Sequence, residues 1–464
     1  MHYDAIIIGA GMSGIAAGIR LAMFDKKVCI LESHYVIGGL NSFYNMKARK
    51  FDVGLHAVTN YVPRGTKGAP LTKLFRQLRI PYEDFKLKPQ NYSEVVFPNK
   101  RITFTNDPKH LEESIAKEFP HQIDQYIKLI EFILSYDNLT LDKVETQTAR
   151  EFLNEVFTDQ TLIEMILCPL TYYGSAIEND MELGQFVTMY KSILLEGFAR
   201  PDEGVRQILK VLKKKYKEVG GELKLRNGVT KLIRKNELIT EIHTEKEEIL
   251  TADLIISSAG YLNTLNLIDG YEPQTPQKFT GMMSFMESIS CLSKPQTDFN
   301  YDASITFFNT RENYLYEDAK DFIDPCSGVI CSPGNYQLDK PIDEPVIRIT
   351  NIANFKLWED LKTNDIDKYY HQKEDSYQRS LKEVFKFKDD FTSAVTFTDI
   401  FTPHTIKRYT GHINGAVYGS PVKTKTGKTP FDNLVICGTD QGFLGIIGAI
   451  LSGISISNLY GLVK

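Results

Sequence analysis

A buried strand that runs straight into three glycines and out into a helix leaves few folds open, and this sequence starts with one. Residues 5–8 are an unbroken apolar run, and Gly9-Ala-Gly-Met-Ser-Gly14 follows at once. A short β-branched run without polar alternation reads as a parallel strand covered on both faces. Gly9, Gly11 and Gly14 fit G-x-G-x-x-G. The first permits a tight turn, the second lets the backbone approach a pyrophosphate, and the third lets the helix lie close on the strand, with the phosphate on the helix N-terminus. The expected helix, from Gly14 to about Phe24, is rich in Ala, Gly and Ile, and residues 27–31 return as a second strand that ends at Glu32. Glu32 stands 18 residues after Gly14, where a carboxylate accepts from a ribose hydroxyl. Ala10, Met12, Ser13 and Ser33 complete the candidate set around the turn. Glycines alone are a weak signal, but with a strand on each side and the acid in place they read as a dinucleotide-binding unit rather than a structural turn.

The rest of the composition suits a large enzyme. A length of 464 residues suggests two or three domains, and 42% hydrophobic with 24% charged residues is ordinary globular usage. A net charge of −5 argues against nucleic acid as a partner. Because the sequence enters its first strand at once, no leader is expected, and no apolar run is expected to approach the roughly 18 residues that span a bilayer. The expectation is a cytoplasmic protein, soluble or peripheral to a membrane. Cys29, Cys168, Cys291, Cys326, Cys331 and Cys437 show neither C-x-x-C nor His spacing, so they read as free or buried thiols and no metal site is expected.

One fold interrupted twice emerges along the chain. A hairpin is expected from strands at 94–97 and 101–105, then a helix begun by Asp107-Pro108, an N-cap followed by proline at the first helical position. Helical periodicity recurs at 123–134 and across Leu183, Phe186, Val187, Tyr190, Ile193 and Leu194, so 107–195 reads as mainly helical. A helix closed by Gly220-Gly221 follows, then a strand, a turn at Asn227-Gly228, a strand entry at Val229, and another buried strand ending in glycine at 252–260. From 262 to 400 the pattern turns to strands, such as 304–308 and 346–350, with one amphipathic helix near 367–385. The string "NLVICGTDQGFLGIIGAILSG" repeats the opening logic: a strand at 434–437, a glycine turn with Asp440, and a helix beginning at Gly445 with Gly448 and Ala449. Its exposed amides form a second polar site, so two remote units contact the two ends of one long cofactor.

These pieces carry a resemblance. The Gly9–Gly14 motif, Glu32 with Gly38-Gly39, "FDVGLH" at 51–56, "RPDEGV" at 200–205, Val229, "FTPHTIKRYTGHINGAVYG" at 401–419 and the closing segment occur in order over the whole length. The chain resembles the phytoene desaturase, carotenoid isomerase and retinol saturase group of FAD-dependent oxidoreductases. The resemblance implies an α/β protein: a discontinuous Rossmann-like FAD-binding domain from 1–75, 196–265 and 405–464, and an inserted α+β substrate domain with a helical segment, from 76–195 and 266–404. It places Glu32 at the adenosine ribose, Gly39 and Leu40 at the pyrophosphate, His56 and Ala57 near the isoalloxazine, and Val229 at adenine through its backbone. Gly438 and Asp440 fall at the ribityl and pyrophosphate region, and Ile447 and Gly448 at the flavin ring. A basic residue often follows the two glycines in this group. Leu40 cannot supply that charge, which leaves backbone amides or another group to neutralise the phosphates.

The implied chemistry is desaturation, cis–trans isomerisation or saturation of a long isoprenoid or polyene, with an unidentified electron donor or acceptor. The flavin carries the hard step, so charged acid–base groups are not obligatory. No Ser-His-Asp, H-E-x-x-H or paired-carboxylate pattern stands out. His56 is the candidate catalytic residue, with a hydrogen-bonded structural histidine as the alternative, and His404 and His412 read as loop or helper residues. Tyr172, Tyr173 and the apolar face from 183 to 198 read either as a lipophilic tunnel or membrane-resting surface, or as ordinary helical core. Two other functions stand beside the leading one. A flavin amine-oxidase-like enzyme on a small polar substrate shares the fold, and a non-enzymatic prenyl-binding escort typically loses the glycines and acid that are intact here.

Overall fold

The computed structural model describes residues 1–54, 56–136 and 147–463. Leu55 of the 51–56 string and residues 137–146 of the stretch expected to be helical lie outside them. The first sheet has a parallel core in the order Glu222–Leu225, Val28–Glu32, His2–Ile8, Ile249–Ser257, Leu434–Ile436. Val229–Lys235 and Leu238–Thr244 extend it as an antiparallel pair. Ile6, Ile7, Ile30, Ile255 and Ile256 are completely excluded from solvent, as strands covered on both faces require. The helices Met12–Ala22, Val205–Glu218 and Gly445–Ile456 pack on the face carrying Ile7 and Ile30. The opening helix lies so close to its strand that a Cβ on Gly14 would stand 2.1 Å from the carbonyl oxygen of Gly9, which itself turns with φ +91°. The closing helix crosses the opening one as tightly. A Cβ on Gly453 would stand 2.0 Å from the carbonyl oxygen of Ser13 and 2.9 Å from the amide nitrogen of Ala17.

The second sheet runs Val395–Phe401, Phe285–Leu292, Val346–Ile352, Ser327–Cys331, Ile305–Asn309, Ser93–Phe97, Lys100–Phe104. All neighbours are antiparallel except Ile305–Asn309 and Ser93–Phe97. Both faces are buried, and the period-2 alternation decides which core each residue joins. Phe307 joins the core of Leu162 and Ile166 of the helical layer and of Phe198, whereas Phe308 joins that of Trp358, Tyr377 and Leu381 of the opposite layer. That opposite layer holds Ile366–Val384, the expected amphipathic helix, and also Phe355–Asn364, which the pattern did not single out. Asp365 separates the two with an extended φ of −151°, its side chain capping the second helix at the Lys368 amide.

In the helical layer, Pro108–Glu118 starts as expected from Asp107, whose side chain accepts from the Lys109 amide. Phe186, Val187, Tyr190 and Ile193 are fully buried in its core, so this face is helical core and not a membrane-resting surface. The expectation that no apolar run reaches bilayer length is corrected. Gly445–Leu462 is long and apolar enough by length and composition, because serines, an asparagine and glycines interrupt its apolar residues without a single charge. This helix is packed against the opening helix, with Ile447, Ile450 and Ile454 in the core of the first sheet. The six cysteines are free, five of them buried and Cys326 partly so.

Candidate active site

Two helix N-termini converge on one cavity that opens to solvent. Gly11, Met12 and Ser13 line it from the opening helix, and Leu444, Gly445 and Ile446 from the closing one. Neither helix has a side-chain cap. First-turn amides have no intrahelical carbonyl to bond, so both sets are available to an occupant of the cavity. A Cβ on Gly11 would meet nothing within 4 Å, leaving the turn open on this side. The Gly38 amide donates to the Ala10 carbonyl at 2.9 Å, which lays Gly39 and Leu40 along the same wall, and Gly438 adds to it from the closing unit. Among the described lining residues there is no arginine or lysine. A negative group placed here meets backbone amides and helix dipoles, as the uncharged Leu40 requires.

Glu32, Ser33 and Val229 lie together at an edge beside this cavity rather than lining it. Glu32 Oε2 accepts from the Ala10 amide at 2.7 Å, and Oε1 from the His34 amide at 2.8 Å. The Asn227 amide donates to the Glu32 carbonyl at 2.9 Å, and a Cβ on Gly228 would sit 2.7 Å from the Ser33 Cβ. Asp440 is buried below the turn that precedes the closing helix. Its Oδ2 accepts from the Tyr261 amide at 2.6 Å and its Oδ1 from the Ser420 amide at 2.7 Å, joining three segments. Ile447 is fully buried in the core, so its side chain does not reach the cavity. Ile446 and Ala449 flank it on the lining side, with Gly448 between them in sequence and partly buried.

The far side of the cavity is built by the second sheet. His56 and Ala57 line it with Glu287 from Phe285–Leu292 and Thr350 from Val346–Ile352. His56 Nε2 lies 3.3 Å from Glu287 Oε1 and 3.3 Å from Thr350 Oγ1. The backbone carbonyl of His56 accepts from Tyr336 at 3.2 Å and from the Cys331 thiol at 3.6 Å. Arg348 Nε donates to Glu287 Oε1, and its Nη2 donates to the Val53 carbonyl at 2.5 Å. Burial alone would raise the Glu287 carboxyl, but Arg348 and His56 outweigh it and hold it below the ordinary glutamate value. Beneath this group, Asp52 binds Arg200 at 2.5 Å and the Val205 amide at 3.2 Å, which explains why the 51–56 and 200–205 strings occur together. Gly204 must be glycine there: its φ is +66°, and a Cβ would stand 2.3 Å from Asp52 Oδ2.

Aromatic and aliphatic side chains complete the wall: Tyr172, Tyr173, Met189, Phe285, Phe401 and Tyr418. Tyr418 OH donates to the Tyr172 carbonyl, tying the closing region to the helical layer. His412 also lines the cavity, with Nδ1 2.8 Å from the Ala416 carbonyl oxygen, whereas His404 sits away from it against Glu359. Sequence reasoning missed Glu287 and Arg348. The available signal was a single charge inside each of two otherwise apolar or small-residue strands, "FMESISCL" and "VIRITNI".

The model of the flavin containing amine oxidoreductase family matches residues 12–283, more than half of the chain. An all-trans-retinol 13,14-reductase of Danio rerio is 21% identical over 98% of this chain and 85% of its own length. A chloroplastic prolycopene isomerase of Arabidopsis thaliana is 23% identical over 97% of this chain and 81% of its own. Among solved structures, an oxidoreductase from Methanosarcina mazei shares the fold with a TM-score of 0.68 at 15% identity, covering 99% of this chain and 100% of its own. The open glycine turn, the two uncapped helix N-termini and the room between them fit FAD, which is the cofactor. The cavity therefore belongs to an FAD-dependent oxidoreductase, and the chain is a member of the flavin containing amine oxidoreductase family.

Proposed function

We propose that this enzyme uses FAD to act on a long isoprenoid or polyene, moving hydrogen between the two in desaturation or saturation, or catalysing cis–trans isomerisation without net hydrogen transfer. The observation that carries this reading is the continuity of one cavity from the two helix N-termini to a wall of Tyr172, Tyr173, Met189, Phe285 and Phe401. A conjugated chain desolvates favourably only against such a surface, at about 25 cal/mol per Å² of apolar area buried. The similarity to a retinol reductase and a prolycopene isomerase over nearly the whole chain supports the same class. When bound, FAD supplies the hydride acceptor or donor.

The protein's own part is binding, orientation and exclusion of water. In this reading the amides of Gly11, Met12 and Ser13 and those of Gly39 and Leu40 hold the pyrophosphate, with Gly9, Ala10 and Gly14 shaping the turn. Glu32 and Ser33 hold the ribose, Val229 meets adenine, and Gly438 with Asp440 orders the ribityl side. Gly445, Ile447 and Gly448 present backbone, and His56 and Ala57 face the ring from the opposite side. Residues 1–75, 196–265 and 405–464 form the FAD-binding domain, and 76–195 with 266–404 form the substrate domain. In this reading the enzyme works in the cytoplasm or peripheral to a membrane. The test is to add polyenes and isoprenoids in liposomes to flavin-loaded protein and to follow the flavin spectrum and the product mass. Conversion by oxidised enzyme with a quinone or oxygen identifies a desaturase. Conversion only by prereduced enzyme identifies a saturase, if two hydrogens are gained, or an isomerase, if the mass is unchanged. Failure of every polyene to bind, with rapid flavin reduction by an amine, overturns the proposal.

A further inference from the structure

Adding two hydrogens across a carbon–carbon double bond, or removing them, moves a hydride and a proton. The electron pair travels with the hydride, to oxidised flavin or from flavin reduced by an external two-electron donor. The proton needs its own partner: the phenols of Tyr172 and Tyr418 are tied to Ser327 and to the Tyr172 carbonyl, burial raises that of Tyr173 well above its ordinary value, and His412 Nδ1 is held by the Ala416 carbonyl. Among the titratable groups that face the cavity, His56 is built for the task. Its ring is 14% exposed, and Nε2 is engaged by Glu287 and Thr350, while Nδ1 has no hydrogen bond to a described residue. Cys331, Tyr336 and Tyr173 also approach His56, the first two at its backbone carbonyl and the third with ring centroids 6.4 Å apart. All three are neutral thiols or phenols, raised further by burial, so Glu287 is the anion that acts on the imidazole and Arg348 the cation behind it.

Resting on the polyene reading above, we infer that His56 Nδ1 is the proton donor or acceptor of the reaction, and that Glu287, itself fixed by Arg348, is the positioning residue that sets its tautomer. A carboxylate beside Nε2 stabilises the Nε2–H form, as the acid of a Ser-His-Asp triad does for its histidine. Neutral His56 then offers a lone pair at Nδ1 for the proton lost in desaturation. Protonated His56 offers Nδ1–H for the carbon that must gain a proton in saturation. In saturation, one hydride and this proton convert C=C to CH–CH, and His56 is left neutral and recharged from water. In desaturation both transfers run backwards.

Two measurements test this independently. Nitrogen-15 spectra of histidine-labelled, flavin-loaded protein without substrate should show neutral His56 as the Nε2–H tautomer, and Glu287→Gln should reduce that preference. His56 as the Nδ1–H tautomer in the wild-type protein overturns the inference whatever the substrate is, and needs no variant to fold. His56→Gln should lower turnover of an accepted polyene about 10²- to 10⁴-fold. It should also remove an ionisation from the pH profile while leaving polyene-induced flavin spectral changes intact. Glu287→Asp should restore part of the activity that Glu287→Gln loses. Turnover within a few-fold of wild type in His56→Gln, with an unchanged profile, refutes the proton role alone. Failure of any polyene to perturb the flavin in wild type refutes instead the substrate reading on which it rests.

Discussion

The crossing of the two cofactor-facing helices can be tested with one methyl group. Gly453→Ala would place a Cβ 2.0 Å from the Ser13 carbonyl oxygen and 2.9 Å from the Ala17 nitrogen, both backbone atoms that no rotamer change can move. Ordinary contact begins near 3.4 Å, so the helices must separate by about 1.4 Å at this point. Overpacking of this kind costs about 1–3 kcal/mol. Alanine regains up to about 1 kcal/mol of helix propensity over glycine. With the full offset the net loss is about 0–2 kcal/mol, read as a lower urea midpoint with an unchanged slope. The more telling effect is on the cofactor. Ser13 lines the cavity two residues after Gly11, and Gly445 sits about two turns before Gly453, so parting the helices misplaces both sets of first-turn amides. FAD affinity, titrated by quenching of flavin fluorescence, should fall at least about tenfold, a loss of about 1.4 kcal/mol. Ser455→Ala, half-buried on the same helix, is the control and should change neither quantity. A Gly453→Ala protein with wild-type midpoint and wild-type FAD affinity would show that the crossing does not set the geometry of the site.

Three further outcomes follow from the same structure. Glu32→Ala should weaken FAD binding by about 1.5–3 kcal/mol, the worth of a hydrogen bond to a charged group; unchanged affinity in a titration rules out contact with the ribose. Asp440→Ala strands the Tyr261 and Ser420 amides, at about 1–3 kcal/mol each, and should give folded but flavin-poor protein, checked by the ratio of flavin to protein absorbance. Glu287 is held below its ordinary value of 4.5, so its contribution to stability is complete above pH 4.5 and is lost as the pH falls through its lower folded value. The fall in urea midpoint below pH 4.5 should accordingly be shallower in Glu287→Gln than in wild type.

Legibility in the sequence followed the range of the forces involved. The opening strand, its glycine turn and its helix are set by residues within 32 positions, and their boundaries in the structure differ from the expected ones by at most three residues, the largest difference being the strand's start at His2 instead of Ala5. The hairpin of Ser93–Phe97 and Lys100–Phe104 was visible for the same reason, through the Pro98-Asn99 turn. The Phe355–Asn364 helix was not, because only Trp358 of its residues is buried and its periodicity is correspondingly faint. That His56 lines the cavity agrees with its place after a glycine bend. What faces it was illegible, since Glu287 and Arg348 lie 231 and 292 positions further along and meet only through strand register, Ile289 opposite Arg348. A charge in a sheet interior announces that a partner exists, but not which one.

The parallel core of the first sheet has a consequence for the newborn chain. Its strands are drawn from residues 2–8, 28–32, 222–225, 249–257 and 434–436, and the last of them pairs with Ile249–Ser257. During synthesis at about 5–20 residues per second, this edge waits roughly ten to forty seconds between emergence of residue 257 and residue 434. Through that interval Ile255 and Ile256 present an apolar strand whose final neighbour has not emerged, and the second half of the cofactor cradle has not emerged either. In the folded protein the Asn433 amide group, which bonds both the Ile239 amide and the Ile239 carbonyl at 2.9 Å, ties this last strand to the sheet. Slower translation over that window should therefore lower the yield of flavin-binding protein, read as the ratio of flavin to protein absorbance.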